Sequence, residues 1–232
     1  MTGTDTIPAR GDETRAQLLD AALELFAREG FEAVTTRRLA AKAGANIAAI
    51  GYHFGGKRDL YRALLAQLVD DTESIFGPVI DRINADIAGA RGNQAAMAAI
   101  VSGFVENLLH VFVASDFMRW RAPLVMREYF NPSEDFDILY EGRIEPLHRC
   151  LTAMVSAALD RDENDPSCAI RAHAIMGQIV VYGIARVVLW RRLGWENYTP
   201  EAIPLVAQEV RDSVLSSLHL PALSGDKVGE TP

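Results

Sequence analysis

The chain has 232 residues, 49% of them hydrophobic, and a formal net charge of −8, which affords a large helical domain or a small domain beside a larger one. Two cysteines, Cys150 and Cys168, are too few for a disulfide framework or a cysteine-built metal site and indicate a reduced, cytoplasmic protein. No apolar run follows the first charges and no uninterrupted apolar stretch reaches about 18 residues, so neither a signal peptide nor a membrane span is expected.

Residues 1–12 carry Gly3, Pro8 and Gly11 among small polar residues and are expected to be a disordered arm. From Glu13 to Glu29, Leu18, Ala22, Leu25 and Phe26 recur at helical spacing, and Gly30 ends that pattern. Thr35 to Asp59 then reads as two short helices joined by a glycine turn. Thr36 is placed to cap the first, because its hydroxyl can accept a backbone N–H left over at a helix start. Leu39, Ala40 and Ala43 form its apolar face, and Gly44 supplies the turn. Asn46 is placed to cap the second, which presents the small residues Ala48 and Ala49 and closes with Tyr52, His53 and Phe54. This is the pattern of a helix-turn-helix, whose second helix enters the major groove.

Charge agrees with that reading. Between Thr35 and Arg58 stand five basic residues (Arg37, Arg38, Lys42, Lys57, Arg58) and no acidic one. Residues 1–62 hold nine Lys/Arg and eight Asp/Glu, whereas the remainder holds 14 and 23. A basic window on an acidic chain is an electrostatic footprint for phosphate.

Lys57 to Ile75 forms a further helical pattern, and Gly77-Pro78 marks a domain boundary, since proline suits a helix start better than a helix interior. The expected organisation is a helix-turn-helix domain at 13–60, a linking helix at 61–76, a larger domain at 77–220 and a flexible tail at 221–232. The larger domain reads as all-α: Pro78–Ile87, Asn93–Ala114, Phe117–Phe130, a pattern capped by Ser133 and kinked or divided at Pro146, Ser167–Leu193, and a last helix from Pro200 to Leu218. Val180, Ile184, Val187, Val188 and Trp190 give one of these helices more apolar surface than a small core needs. Ile203, Val206, Val210, Val214 and Leu218 form a narrow stripe on the next, of the kind that meets a partner helix.

Phe104, Leu108, Trp120, Arg127, Tyr140, Met176 and Tyr182 are the candidate ligand-binding residues, because aromatic and methionine side chains adapt to irregular apolar molecules. His173, on an apolar helix, is expected to be a hydrogen-bonded core residue. No metal-ligand spacing, phosphate loop, G-x-S-x-G or zincin motif occurs, so no metal, no cofactor and no enzymatic activity are predicted. A helical protein-interaction adaptor is the competing class, and it leaves the basic helix-turn-helix unexplained.

Residues 13–65 resemble the DNA-binding domain of TetR-type transcriptional regulators. The resemblance lies in the first helix ending F-A-R-E-G-F, in T-T-R-R-L-A-A-K-A-G at 35–44 and in Y-H-F-G-G-K-R-D-L at 52–60. The wording A-N-I-A-A-I-G-Y-H-F, with D-I-L-Y-E-G-R-I-E-P-L further on, is most similar to the CecR/YbiH-like branch of that family. The resemblance implies a dimer formed through helices at about 167–193 and 200–218, with two recognition helices on a palindromic double-stranded DNA operator. It implies that Thr36, Tyr52, His53 and Lys57 mainly contact phosphates. Asn46, Ala48 and Ala49, with Arg37 or Arg38 nearby, would meet base edges and thymine methyls. The expected function is a repressor released by a small hydrophobic or aromatic effector.

Overall fold

The computed structural model describes residues 10–114 and 117–223. Every regular element among them is helical, as expected: α1 (Arg10–Glu29), α2 (Thr36–Lys42), α3 (Ala48–Phe54), α4 (Lys57–Ala90), α5 (Gln94–Leu109), a π-helix (His110–Ala114), α6 (Met118–Phe130), α7 (Phe136–Leu139), a second π-helix (Tyr140–Ile144), α8 (Glu145–Leu159), α9 (Pro166–Ile184), α10 (Arg186–Leu193) and α11 (Ala202–Ser217). Helix α1 takes in residues 10–12 of the expected arm, and residues 1–9 and 224–232 lie outside the described residues.

The chain forms two compact units that are not consecutive in sequence. One gathers the chain up to Thr72 together with Arg119–Arg143, and the other gathers Glu73–Met118 and the chain from Ile144 onward. No break occurs at Gly77-Pro78; α4 runs through Pro78 and supplies residues to both units. The helix tolerates the proline at the loss of one ladder hydrogen bond.

In the first unit, α1 buries Leu18, Ala22 and Phe26, α2 adds Leu39 and Ala40, α3 adds Ile50, and α4 adds Leu60, Leu64 and Leu65. The Phe26 ring lies 5.7 Å from Phe31 and edge-on to Tyr61 at 5.1 Å. Gly30 turns the chain with φ 85°, a conformation that costs glycine little. The last carbonyls of α1 are met from a distant part of the sequence. Arg127 on α6 donates from Nε to the Ala27 carbonyl at 3.0 Å and from Nη2 to the Arg28 carbonyl at 2.8 Å.

Residues 119–143 are held to this unit by further polar contacts. The buried Glu128 accepts hydrogen bonds from the Tyr61 hydroxyl at 2.5 Å and from the Ser133 amide and hydroxyl at 3.0 and 2.9 Å. Asp135 receives Arg62 at 3.0 Å, Glu134 pairs with Arg58, and Asp71 pairs with Arg121. Ser133 accepts the Asp135 amide at 3.3 Å, and the expected pattern is divided, with Pro146 in the first turn of α8. Gly142 in the second π-helix passes so close to α4 that a Cβ there would lie 2.6 Å from Val69 Cγ1. Gly142→Ala is therefore expected to destabilise by about 1–3 kcal/mol, the usual cost of forcing an extra methyl into packed surroundings. Thermal unfolding reads this directly; an unchanged Tm would contradict the close approach.

The second unit is built on Met97, Val101, Phe104 and Leu108 of α5, Leu151 and Met154 of α8, Ile175 and Ile179 of α9, and Val206, Val210 and Val214 of α11. Three expectations change here. The apolar stripe of α11, read as a partner surface, is consumed by this core, and Leu218 with it. The helix read as 167–193 divides at Ala185, which leaves helical geometry at φ −111° and ψ 22°. Just before the break, Gly183 lets α9 approach the first π-helix, where a Cβ would sit 3.2 Å from the Phe112 carbonyl. His173 is exposed, 5.7 Å from the His148 ring, and is not a core residue. Cys150 and Cys168 are buried and unpaired, and burial pushes the Cys150 thiol up to about 11.

Two helical stretches, Gln94–Val113 and Pro166–Ile184, are long and apolar enough to cross a bilayer by length and composition alone. Scanning for unbroken apolar runs misses them, because isolated polar residues such as Glu106 and Arg171 interrupt them. The first has half of its apolar window buried within the protein, against 22% for the second.

Candidate nucleic-acid interface

The reading surface is assembled from α2, the turn at Gly44 and α3. Thr35 rather than Thr36 caps α2: it sits extended at φ −98°, ψ 154°, and its hydroxyl accepts the Arg38 amide at 3.3 Å. Thr36 is the first helical residue and is half-buried. Gly44 turns with φ 64°. Ile47, not Asn46, holds the cap position of α3, and Asn46 one residue earlier supplies the side-chain bond, its Oδ1 accepting the Ala48 amide at 2.9 Å.

Helix α3 is anchored by one buried residue, Ile50, and everything opposite it is open. Ala48 is exposed, Ala49 half-buried, and Tyr52 85% exposed, with Ile47 at 51%. Large apolar side chains so far out of a core need another reason to be there. Ile47 is absent from the candidates read from sequence, although its place one residue before α3 could have suggested it. His53 packs edge-on to Tyr52 at 4.9 Å, and Phe54 lies under the guanidinium of Arg15 at 5.2 Å. Tyr52, Ala48 and Asn46 thus stand open to a duplex, with His53 and Ala49 partly exposed beside them.

The electrostatics differ from the sequence window. Arg38 makes a two-pronged pair with Glu29 at 2.5 and 2.7 Å, and Lys42 pairs with Glu24 at 2.7 Å. Arg58 is engaged by Glu134 and Asp135. Lys57 is half-buried, with Nζ 4.1 Å from the centroid of the Phe31 ring, a cation–π contact. Among the five basic residues, Arg37 alone carries no ion pair or ring contact in the described residues, and it is exposed. Hydrogen bonds from Arg38 and Lys42 hold the Glu29 and Glu24 carboxyls below the usual range. These pairs are therefore present above the ordinary carboxylate pKa and fade as pH falls through the depressed values.

A consequence is testable. Glu29→Gln releases Arg38 to a phosphate, so operator binding should tighten about 3- to 10-fold at low salt, and its salt slope should steepen by about one unit. Titration of operator DNA at several salt concentrations measures both, and an unchanged slope would show that Arg38 does not reach the duplex.

The seven candidate ligand-binding residues fall in both units. Phe104 and Leu108 are fully enclosed in the second unit's core, and Met176 and Tyr182 pack at its edge, the Tyr182 carbonyl accepting the Tyr198 hydroxyl at 2.8 Å. Trp120, Arg127 and Tyr140 belong to the first unit. Arg127 caps α1, and Trp120 faces the Arg28 guanidinium at 5.8 Å. A cleft of about 420 Å³ in the second unit is lined by other residues, Ile80, Asn84, Glu145, Arg149, Cys150 and Glu163 among them. Among the described residues no group of His, Cys, Asp and Glu is arranged to hold a metal ion.

A buried three-helix core that displays a short helix on a basic, capped turn defines a helix-turn-helix DNA-binding protein. One family model matches this core and another the chain beyond it: bacterial regulatory proteins of the TetR family over residues 18–64, and the C-terminal domain of the HTH-type transcriptional dual regulator CecR over residues 98–219. The HTH-type transcriptional dual regulator CecR of Shigella flexneri is 31% identical over 92% of this chain and 96% of its own length. The regulator SrpR of Pseudomonas putida is 39% identical over 30% of this chain and 33% of its own. The chain belongs to the TetR family of transcriptional regulators, in the group that shares the CecR C-terminal domain. Solved structures of a TetR-like regulator from Rhodococcus (TM-score 0.59, 15% identity, 92% of this chain and 99% of that one) and of the TetR-family regulator SCO4454 from Streptomyces coelicolor (0.56, 20%, 92% and 96%) share the fold.

Proposed function

We propose that the protein binds a palindromic operator as a homodimer and represses transcription until a small hydrophobic or aromatic effector releases it. The observation that carries the DNA half is the open face of α3, with Tyr52 85% exposed beside Ala48. In this reading Asn46, Ala48, Ala49 and Arg37 face base edges. Thr36, Tyr52 and His53 set position on phosphates. Arg38 joins them on leaving Glu29, and Lys57 adds its charge at the N-terminus of α4, where amides favour an anion.

The dimer reading rests on exposed apolar surface. Ile170, Ala174, Gly177, Val181 and Ile184 of α9 and Val188 of α10 are all exposed and follow one another at alternating steps of four and three. That is the spacing of a seam between paired helices, and Gly177 admits close approach. Exposed Leu205 adds a contribution from α11, whose other stripe is occupied at home. Twofold symmetry then presents two α3 helices to two half-sites.

Effector control is favoured by the way residues 119–143 grip the reading unit through Arg127, Glu128, Glu134 and Asp135. A compound that binds one arrangement of this segment better than another shifts the population of operator-competent dimers by that difference. The Shigella flexneri relative is named a dual regulator, and a single DNA-bound dimer represses or activates according to where its operator lies. A gel shift of the purified protein on its own upstream DNA tests the reading. Arg37→Ala should cost about 1–3 kcal/mol of operator affinity and relax specificity at the base pair it faces, with non-operator DNA bound nearly as before; absence of any salt-sensitive complex would overturn the reading.

A further inference from the structure

Among the described residues, one cationic side chain of the first unit has no hydrogen-bond or ion-pair partner. Arg143 lies in the second π-helix, and its Nη1 is shut off from solvent with no hydrogen-bond acceptor. Burial depresses its pKa, the nearby Arg121 depresses it further, and among the described residues Tyr129 alone favours the charge. No carboxylate contributes, since Asp71 is engaged by Arg121. A half-buried guanidinium with one nitrogen shut off from water and no counter-charge is costly, and replacing such a group by an apolar one of similar volume often stabilises. A site of this kind fits a function better than a structural role. π-Helices recur at functional sites for the same reason, their looser ladder being a cost that folding alone does not favour.

The surroundings narrow the ligand. Tyr129 and Phe136 meet edge-on at 6.5 Å, and Phe136 and Tyr140 follow at 6.2 Å, which makes a run of three rings beginning at the residue beside Arg143. Tyr129 and Tyr140 are each more than two-fifths exposed. We propose that Arg143, with Arg121, seats the carboxylate of a small aromatic acid whose ring lies against Tyr129, Phe136 and Tyr140. Guanidinium and carboxylate match in planar, two-pronged geometry, and offset rings stack on rings. This deepens the effector reading above and rests on it: the same segment caps α1 through Arg127, so an acid bound here acts on the part of the chain that holds the reading helices.

The test uses the full chain at constant ionic strength, with sodium benzoate and 1-naphthoate as probes and their neutral amides as controls. The wild-type protein should gain about 2–4 °C in Tm with the acids at millimolar concentration and nothing with the amides. Arg143→Met should raise the ligand-free Tm by several degrees and abolish the response, while Arg143→Lys keeps a weakened one. Indifference of the wild type to both acids, an equal response to the amides, or an equal response to acetate or inorganic phosphate overturns the proposal. So does an Arg143→Met protein that responds like the wild type, and if that variant does not fold, the acid-against-amide comparison and Arg143→Lys still decide. Operator affinity measured in the same samples separates the two readings. Arg143-dependent binding of the acids that leaves operator affinity unchanged upholds the site and overturns effector control. Operator release by neutral compounds, with no binding of the acids, overturns the site and leaves effector control standing.

Discussion

Glu128→Ala is expected to lower the melting temperature by about 8–12 °C. Glu128 is 3% exposed and accepts three hydrogen bonds, from the Tyr61 hydroxyl and from the Ser133 amide and hydroxyl. Truncation leaves donors of both partners buried without an acceptor, at about 1–3 kcal/mol for each group that cannot reorient. The Ser133 hydroxyl can rotate away, but the Ser133 amide and the Tyr61 hydroxyl cannot both find substitutes in a packed interior, so a total of about 3–4 kcal/mol is reasonable. For a chain of this size each kcal/mol moves Tm by about 2–4 °C. Burial and the bond to Glu128 push the Tyr61 phenol well above its usual range, so it remains a donor throughout the physiological range. Glu128→Gln should be nearly as harmful, because its amide group turns a donor toward the Ser133 donors, and the two variants together separate lost volume from lost acceptance. Calorimetry of both proteins settles the matter; a Tm within about 2 °C of wild type for both would show that the buried carboxylate is not what joins α6 to the reading unit.

What this variant probes was hidden from the sequence. The helices around α3 were legible because their signals are local: Gly30 and Gly44 at positive φ, the Asn46 side-chain bond, and apolar residues at helical spacing all act within a turn or two. Thr35 and Thr36 are adjacent and chemically alike, so spacing could not decide which of them caps α2; backbone geometry did. Charge was misjudged for a related reason. A window from Thr35 to Arg58 holds no acid, yet Glu24 and Glu29 reach it from α1, and Glu134 and Asp135 reach it from a loop some 75 residues onward. The π-helices gave no sequence signal at all, and with them went the reason for Gly142 and the isolation of Arg143. Phe104 and Leu108 were read as pocket residues and are enclosed in a core, because an apolar residue in a core and one in a pocket look the same in a linear pattern.

The same ambiguity affects the proposed dimer, and it bears on the second large effect. A periodic apolar stripe says that a helix is covered and not by what. Val206, Val210 and Val214 are covered by their own chain, whereas Val181 is 44% exposed, Ile184 47% and Val188 67%. Val181 stands near the middle of the exposed series from Ile170 to Val188, where interface residues contribute most. At a twofold seam a residue near the axis meets its own copy, so Val181→Glu brings two carboxylates together in a desolvated setting that offers neither a partner. The variant is expected to be monomeric at micromolar concentration. Because a dimer binds its second half-site at high effective concentration, the monomer should lose at least about 100-fold in operator affinity. The far-ultraviolet spectrum should remain helical, since the substituted position faces away from the core of its own chain. Sedimentation velocity and operator titration on one preparation make the comparison. A variant that remains dimeric with wild-type operator affinity would move the interface away from α9 and α10, and a monomer that still binds operator tightly would mean that the two half-sites are not read together.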